Sequence, residues 1–232
     1  MSTDVAVAHN GREVATYNTA DGTLRAPTPF GGYLEIGPKQ RVFTDEQMVI
    51  LSPLGVEAGW DPRIVMTFLI ECHERGLDPW QRETYLMLYA GKFIRHIGID
   101  GFRKRGESTG EYKGRLGPFV CDADEKWREI WPFKDRPPVA AKVGILRAGF
   151  DGPVWATAMY DEYVPMQDET KWDPKAQRKV KTGQRVPTPN WRCAIDGGKP
   201  MVMLGKCAEA QAWRATFPAR FGGFYIPEEF ER

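Results

Sequence analysis

The sequence predicts an α+β fold, with antiparallel β-hairpins forming a small sheet and helices packed against it. Three patterns lead there. Two pairs of β-prone runs flank short turns, at residues 84–97 and 139–160. Other segments repeat apolar residues at helical spacing. Residues that favour helix starts, Thr44 and Asp61-Pro62, stand in front of two of those segments.

Residues 1–40 show neither period. They are rich in Thr, Ala, Gly and Pro, and are expected to form a flexible N-terminal arm. A first helix is expected after Thr44, with Gln47 three residues on as in a capping box and Met48, Val49 and Leu51 on its apolar side. A second should start at Asp61-Pro62, bury Ile64, Val65, Phe68, Leu69 and Cys72, and stop at Gly76. Residues 84–89 and 92–97 read as a hairpin turning at Ala90-Gly91. Asp100 to Thr109 reads as a short helix stopped by Gly110. Val139–Leu146 and Val154–Tyr160 form a second strand pair around Phe150-Asp151-Gly152-Pro153. Residues 165–191 look like a long polar connection. Pro200 to Phe217 is the last helix, with Met203, Leu204, Cys207, Ala208, Gln211 and Ala212 near helical spacing, and the acidic end (Glu228, Glu229, Glu231) is expected to be solvated. Residues 41–232 are thus expected to make a single domain.

The composition fits this. The chain has 232 residues, 42% of them hydrophobic and 27% charged, as in an average globular protein. The apolar run from Ile64 to Ile70 is far too short to span a bilayer, and no apolar leader stands near the N-terminus. Cys72, Cys121, Cys193 and Cys207 lie far apart with no C-x-x-C. That spacing speaks against a zinc knuckle or a disulfide scaffold and suits a reducing cytoplasm. A cytoplasmic location is expected.

Several chemistries find no support. Gly91-Lys92, Gly198-Lys199 and Gly205-Lys206 are followed by Phe, Pro and Cys, so no phosphate-binding loop is present. His9, His73 and His96 are scattered. Glu71-Cys72-His73-Glu74 would diverge around a helix axis rather than converge on a metal. Cys207, on an apolar helix face, reads as a packed thiol. Asp122, Asp124 and Glu125 are candidates for a divalent ion, as a nuclease would need, or for a solvated loop.

The net charge is only +1, but the cations are not evenly spread. Residues 82–115 hold eight: Arg82, Lys92, Arg95, Arg103, Lys104, Arg105, Lys113 and Arg115, against four acids. Residues 170–192 hold seven, against Asp173 alone. Tyr85, Tyr89, Phe93, Phe102 and Tyr112 interleave the first segment, and Trp172 and Trp191 the second. Cations that track phosphates and aromatic faces that stack on bases make a sequence-tolerant single-strand site. The same residues also fit a solvated surface over an aromatic core.

Short words in the chain narrow the choice. They are Gly76-Leu77-Asp78-Pro79-Trp80, Gly98-Ile99-Asp100-Gly101-Phe102-Arg103 and Gly110-Glu111-Tyr112-Lys113-Gly114. Trp191, Pro200 to Ala210, Arg214, Phe217 and Gly223 to Glu229 follow. In this order and spacing, over about residues 44–230, the chain resembles the Bet branch of the RecT family of phage single-strand DNA annealing proteins. The resemblance implies an ATP-independent recombinase that binds single-stranded DNA. It would anneal complementary strands in an oligomeric nucleoprotein ring or filament during phage homologous recombination. It also implies a sheet-and-helix core distantly similar to the eukaryotic strand-annealing mediator, no catalytic residues and no cofactor. Mg²⁺ remains allowed, with no dedicated site identified.

Carried over to this sequence, the resemblance places DNA contacts at Arg82, Lys92, Arg103, Lys104, Lys113, Lys181 and Arg214. Lys199 and Lys206 are offset from the family's cations, which fall at Met201 and Cys207. Trp191 joins the set as groove wall or core, and Gly76 and Gly101 are expected to serve backbone geometry. Besides single-stranded DNA, annealed duplex and further copies of the chain, a phage 5′–3′ exonuclease and the host single-strand binding protein are candidate partners. By the resemblance, the further C-terminal domain that recruits those two is expected to be missing here, which leaves both partnerships open. The alternatives are a metal-dependent nuclease at Asp122 to Glu125, or a phage DNA-binding structural module.

Overall fold

A computed structural model describes residues 21–89 and 91–229. They form an α+β structure of small antiparallel sheets and several helices. The chain divides into two compact units, one ending at Gly101 and the other starting at Phe102. The division falls inside a helix, not near residue 40.

The first unit begins with strands β1 (Leu24–Pro27) and β2 (Tyr33–Ile36), paired antiparallel with Leu24 opposite Ile36 and Ala26 opposite Leu34. All four of these side chains are buried. The flexible arm expected over 1–40 is therefore corrected for this stretch, while residues 1–20 lie outside the described residues. Each strand is only four residues long, too short to show an alternating pattern in the sequence, yet every second residue is apolar and finds cover.

Helix α1 (Asp45–Leu51) carries the expected capping box. The Gln47 N–H donates to Thr44 Oγ1 at 3.3 Å, and the Thr44 N–H donates to Gln47 Oε1 at 2.9 Å. Helix α2 (Pro62–Glu74) is capped by Asp61, which accepts from the Arg63 N–H at 2.8 Å. It buries Val65, Met66, Phe68, Leu69 and Cys72, and burial pushes the Cys72 thiol up to about 12. Ile64, expected on the buried face, is 37% exposed, and Met66 takes its place.

Strands β3 (Thr84–Tyr89) and β4 (Lys92–Ile97) form the expected hairpin. Its base is buried at Thr84, Leu86, His96 and Ile97. Its far end is bare: Met87, Leu88 and Tyr89 are 38%, 48% and 52% exposed. Helix α3 (Ile99–Glu107) follows at once. Gly101 on it lies against the preceding chain, and a Cβ there would stand 2.4 Å from the Glu83 carbonyl oxygen. Close approach of backbone is the reason for glycine in that word.

The second unit is built on a meander of β5 (Tyr112–Cys121), β6 (Ala140–Arg147) and β7 (Val154–Met159), in that order. Strand β6 presents Ala141, Val143 and Ile145 to the core, and β7 adds Ala158; all four are fully buried. Helix α4 (Tyr160–Tyr163) is a single turn after β7. Helix α5 (Pro200–Thr216) lies on β6 and β7 and buries Met203, Leu204, Cys207, Ala208, Ala212 and Trp213. Alanines on both surfaces let helix and sheet approach closely. Cys207 is a packed thiol, as expected, and burial raises its pKa. Helix α6 (Pro218–Phe221) closes an aromatic cluster. Phe102 stacks on Phe221 at 5.2 Å between centroids, and Trp213 meets Tyr112 at 4.9 Å and Phe221 at 5.5 Å.

Residues 165–191 are not the expected connection. They hold a long antiparallel hairpin, β8 (Met166–Asp173) and β9 (Arg178–Pro187). No residue in either strand is buried. Both faces are polar, so the alternation that betrays a strand never appears. Among the described residues, no helix is long and apolar enough to cross a membrane.

Gly106 on α3 gives a direct check of the core. A Cβ there would stand 2.2 Å from the Trp213 ring. On a free helix surface, Gly→Ala gains up to about 1 kcal/mol. Here Gly106→Ala drives a methyl into a fully buried indole, and the expected result is a loss of about 1–3 kcal/mol. Urea unfolding of the two proteins measures it.

Candidate nucleic-acid interface

The expected DNA contacts sort into three groups by what their charges touch. The first group lies at the surface. In the first unit Arg82 is exposed, in the loop before β3, with a left-handed φ of 60°. Lys92 opens β4 opposite the half-exposed Tyr89. In the second unit Lys104 on α3, which has a partner of its own, Lys113 on β5 and Lys199 ahead of α5 are exposed. The Lys199 backbone serves the fold, since its N–H donates to the Asn190 carbonyl at 2.8 Å, but its side chain points to no core position.

Lys181 belongs to this group with a tie. Its Nζ lies 2.6 Å from Asp168 Oδ2 across the β8–β9 hairpin, and the side chain is 73% exposed. The hydrogen bond raises the lysine pKa and lowers that of the aspartate. At such exposure the pair is weak and open to exchange with another anion.

The second group is structural. Arg214 forks onto Glu229, with Nη1 donating to Oε2 at 2.9 Å and to the Phe224 carbonyl at 3.1 Å. The two side chains are 19% and 7% exposed. Lys206 Nζ bonds Glu228 Oε1 at 2.7 Å, and Glu228 is 13% exposed. At Glu228 and Glu229 the acidic end is therefore not solvated: it folds back, and these two carboxylates fasten the segment after α6 to α5, while Glu231 lies outside the described residues. Trp191 is 1% exposed, and its carbonyl accepts from the Tyr160 hydroxyl. It presents no face on which a base could stack, so of the two readings left open the core is the right one.

The third group stands between these. Arg103 donates from Nε to Glu209 Oε1 at 2.8 Å and from Nη2 to Oε2 at 2.8 Å. Glu209, on α5, is 2% exposed, whereas Arg103 keeps 41% of its side-chain surface open. A second guanidinium, from Arg115 on β5, bonds the same Oε2 and is 31% exposed. The Trp213 indole N–H reaches Oε1 at 3.4 Å.

Two surface features escape residue-by-residue expectation. Trp172 on β8 is 61% exposed and faces Lys179 directly across the hairpin. The hairpin around them carries Lys171, Lys175, Arg178, Lys179, Lys181 and Arg185 against Asp168, Glu169 and Asp173. Arg115 is the other. The sequence counts both residues among its basic and aromatic segments, but only strand pairing sets Trp172 opposite Lys179, and only the fold shows Arg115 beside Glu209.

The acidic loop offers its carboxylates to arginines. Asp124 Oδ2 accepts from Arg128 at 2.6 Å, and that bond holds the Asp124 carboxyl well below the usual range. Asp122 lies 3.6 Å from Arg128 and 3.4 Å from Arg136. Among the described residues, no three His, Cys, Asp or Glu side chains are grouped to hold a metal ion.

A family model described as the RecT family matches residues 43–232, most of the chain. The chain belongs to that family. No curated protein matches it.

The two placements of charge predict different responses. Removing one partner from a buried ion pair leaves the other uncompensated. Arg214→Ala and Glu229→Ala are each expected to lower stability, by about 3 kcal/mol. The double variant should lose little more than either single one, because both single changes break the same pair. Lys92→Ala should leave the melting temperature unchanged. Thermal unfolding of the four variants checks this set.

Proposed function

We infer that this protein anneals complementary single strands of DNA without ATP and without breaking a bond. The RecT family supports single-strand DNA binding and annealing in phage recombination as its general activity. The observation that carries the reading in this chain is the β8–β9 hairpin. It has six cations, an exposed Trp172 and no buried residue. A surface that contributes nothing to a core is free to spend its charge on phosphates and its indole on bases.

The physics is simple. Two strands repel through their phosphates, and a basic surface lowers that repulsion by releasing counterions. Held by the backbone, a strand keeps its base edges open to test a second strand. Pairing and stacking then supply the specificity, and the protein reads no sequence. A short contact per protomer is weak, so the reading includes protomers in line along the strand, whose contacts reinforce one another. Mg²⁺ has no assigned place in this scheme. The nuclease alternative would use the loop at Asp122 to Glu125, whose aspartates are already engaged by Arg128 and Arg136.

Labelled complementary oligonucleotides test the reading, with and without Mg²⁺ and with no ATP. Annealing with strands of full length is expected, and shortened strands would favour the nuclease. Binding should weaken steeply with salt and vary little with base sequence. Trp172→Ala should weaken single-strand binding about tenfold, since a base–aromatic stack is worth about 1–3 kcal/mol, and leave thermal stability unchanged. Light scattering should give larger particles on complementary strands than on none. Monomers in both conditions would refute the in-line assembly.

A further inference from the structure

Glu209 poses a problem that the fold alone does not explain. It is a charged residue at 2% exposure in the middle of α5, the helix that covers the sheet. An apolar residue there would spare the protein the desolvation of a carboxylate. One arginine would be enough to neutralise it. It has two, and they come from different elements: Arg103 from α3 and Arg115 from the edge strand β5. The cluster therefore sets two positive charges on one buried carboxylate, with Glu107 also near. The positive charges are not buried, because the two guanidiniums retain 41% and 31% of their side-chain surface.

Each arginine is also held in place. Arg103 meets the carboxylate with two parallel hydrogen bonds at 2.8 Å, the fork geometry that fixes a guanidinium plane. The Trp213 indole N–H also donates to Oε1, at 3.4 Å. A free surface arginine loses rotamer entropy when it grips a phosphate, and one already fixed loses less. Lys104 and Lys113 are exposed on the same two elements, each next to or near one of these arginines in the chain.

We propose that Glu209 is a positioning residue that holds Arg103 and Arg115 as a two-arginine clamp for the DNA backbone. This rests on the single-strand binding inferred above. Arg103 acts as the resemblance implies. Arg115 becomes a phosphate contact that no motif marked, and an acidic side chain promotes the binding of an anion.

That last point makes the test decisive, because two roles of Glu209 predict opposite signs. If the carboxylate is only a nearby negative charge, Glu209→Gln removes repulsion and DNA binds more tightly. If it positions the clamp, Glu209→Gln releases both guanidiniums and DNA binds more weakly. Fluorescence anisotropy on a labelled single strand, over a series of salt concentrations, reads both affinity and salt slope. Glu209→Gln should weaken binding several-fold. Arg115→Ala should lower the slope of log K against log salt by about 0.7, the loss of one phosphate contact on a single strand. A change to the fold alone would not move that slope in a stably folded variant. Arg115→Lys keeps the charge and loses the guanidinium plane, so it should weaken binding at an unchanged slope. If Glu209→Gln does not fold, the two Arg115 variants decide, since that side chain is part-exposed on an edge strand. Tighter or equal binding by Glu209→Gln, or a wild-type slope in Arg115→Ala, overturns the clamp. A wild-type protein with no salt-dependent binding at all overturns the DNA reading itself, and the clamp with it.

Discussion

The second unit is organised around one buried carboxylate. Glu209 at 2% exposure can remain charged only if cations and donors surround it. Satisfying it requires α3, β5 and α5 to meet at one point, because its partners are Arg103, Arg115 and the Trp213 indole. That demand then fixes the apolar packing. With Trp213 drawn toward the carboxylate, its ring fills the space beside α3, and only glycine fits at position 106. Tyr112, Phe217 and Phe221 close around the same ring. Hydrophobic burial supplies most of the driving force. The ion cluster supplies direction, since a charge has few acceptable partners whereas an apolar side chain has many.

The choice between arginine and lysine follows this division of labour. The cations built into the fold are mostly arginines: Arg103 and Arg115 on Glu209, Arg147 on Glu111, Arg214 on Glu229, and Arg128 on Asp124. The planar guanidinium gives most of them a defined geometry and more than one hydrogen bond. The lysines, by contrast, nearly all stand exposed, among them Lys92, Lys113, Lys175, Lys179 and Lys199. A compact, mobile ammonium suits phosphates whose positions vary along a flexible strand. Lys206 on Glu228 and the exposed Arg82, Arg178 and Arg185 are among the exceptions. Resemblance to a family cannot make this distinction by itself. Arg214 matches a basic position in sequence, and its partner stands fifteen residues on, in a segment whose acidity suggests solvent.

How much of the fold was legible follows from the same physics. Helices α1 and α2 were plain because their caps and apolar spacing lie within one local stretch. The β3–β4 hairpin, β6 and β7 were plain because apolar runs flank recognisable turns. Strand β5 was hidden: Gly114, Gly117 and Pro118 interrupt it, and its register slips twice against β6. The hairpin of β8 and β9 was hidden for the opposite reason, since nothing on either face is apolar enough to mark an inside. At the site, the abundance of cations and aromatics was visible, but their commitments were not. Which charge is paired depends on contacts as distant in sequence as Arg103 and Glu209.

The near-neutral whole chain fits the proposed activity better than a basic one would. A protein that lines up along a strand must tolerate its own neighbours as well as attract phosphates. Like charges spread over the surface would oppose side-by-side packing of protomers. A net charge of +1 removes most of that opposition. The attraction for DNA survives because it acts over about a Debye length, roughly 8–10 Å at moderate salt, and so depends on local clusters rather than on the sum. The β8–β9 hairpin is such a cluster, set apart on two strands with no buried residue. Two-stranded hairpins are marginal in water without further support. Neutralising its crowded cations with phosphates would relieve the repulsion between them, so under the proposed function the contact that holds the strand would also stabilise the arm that makes it.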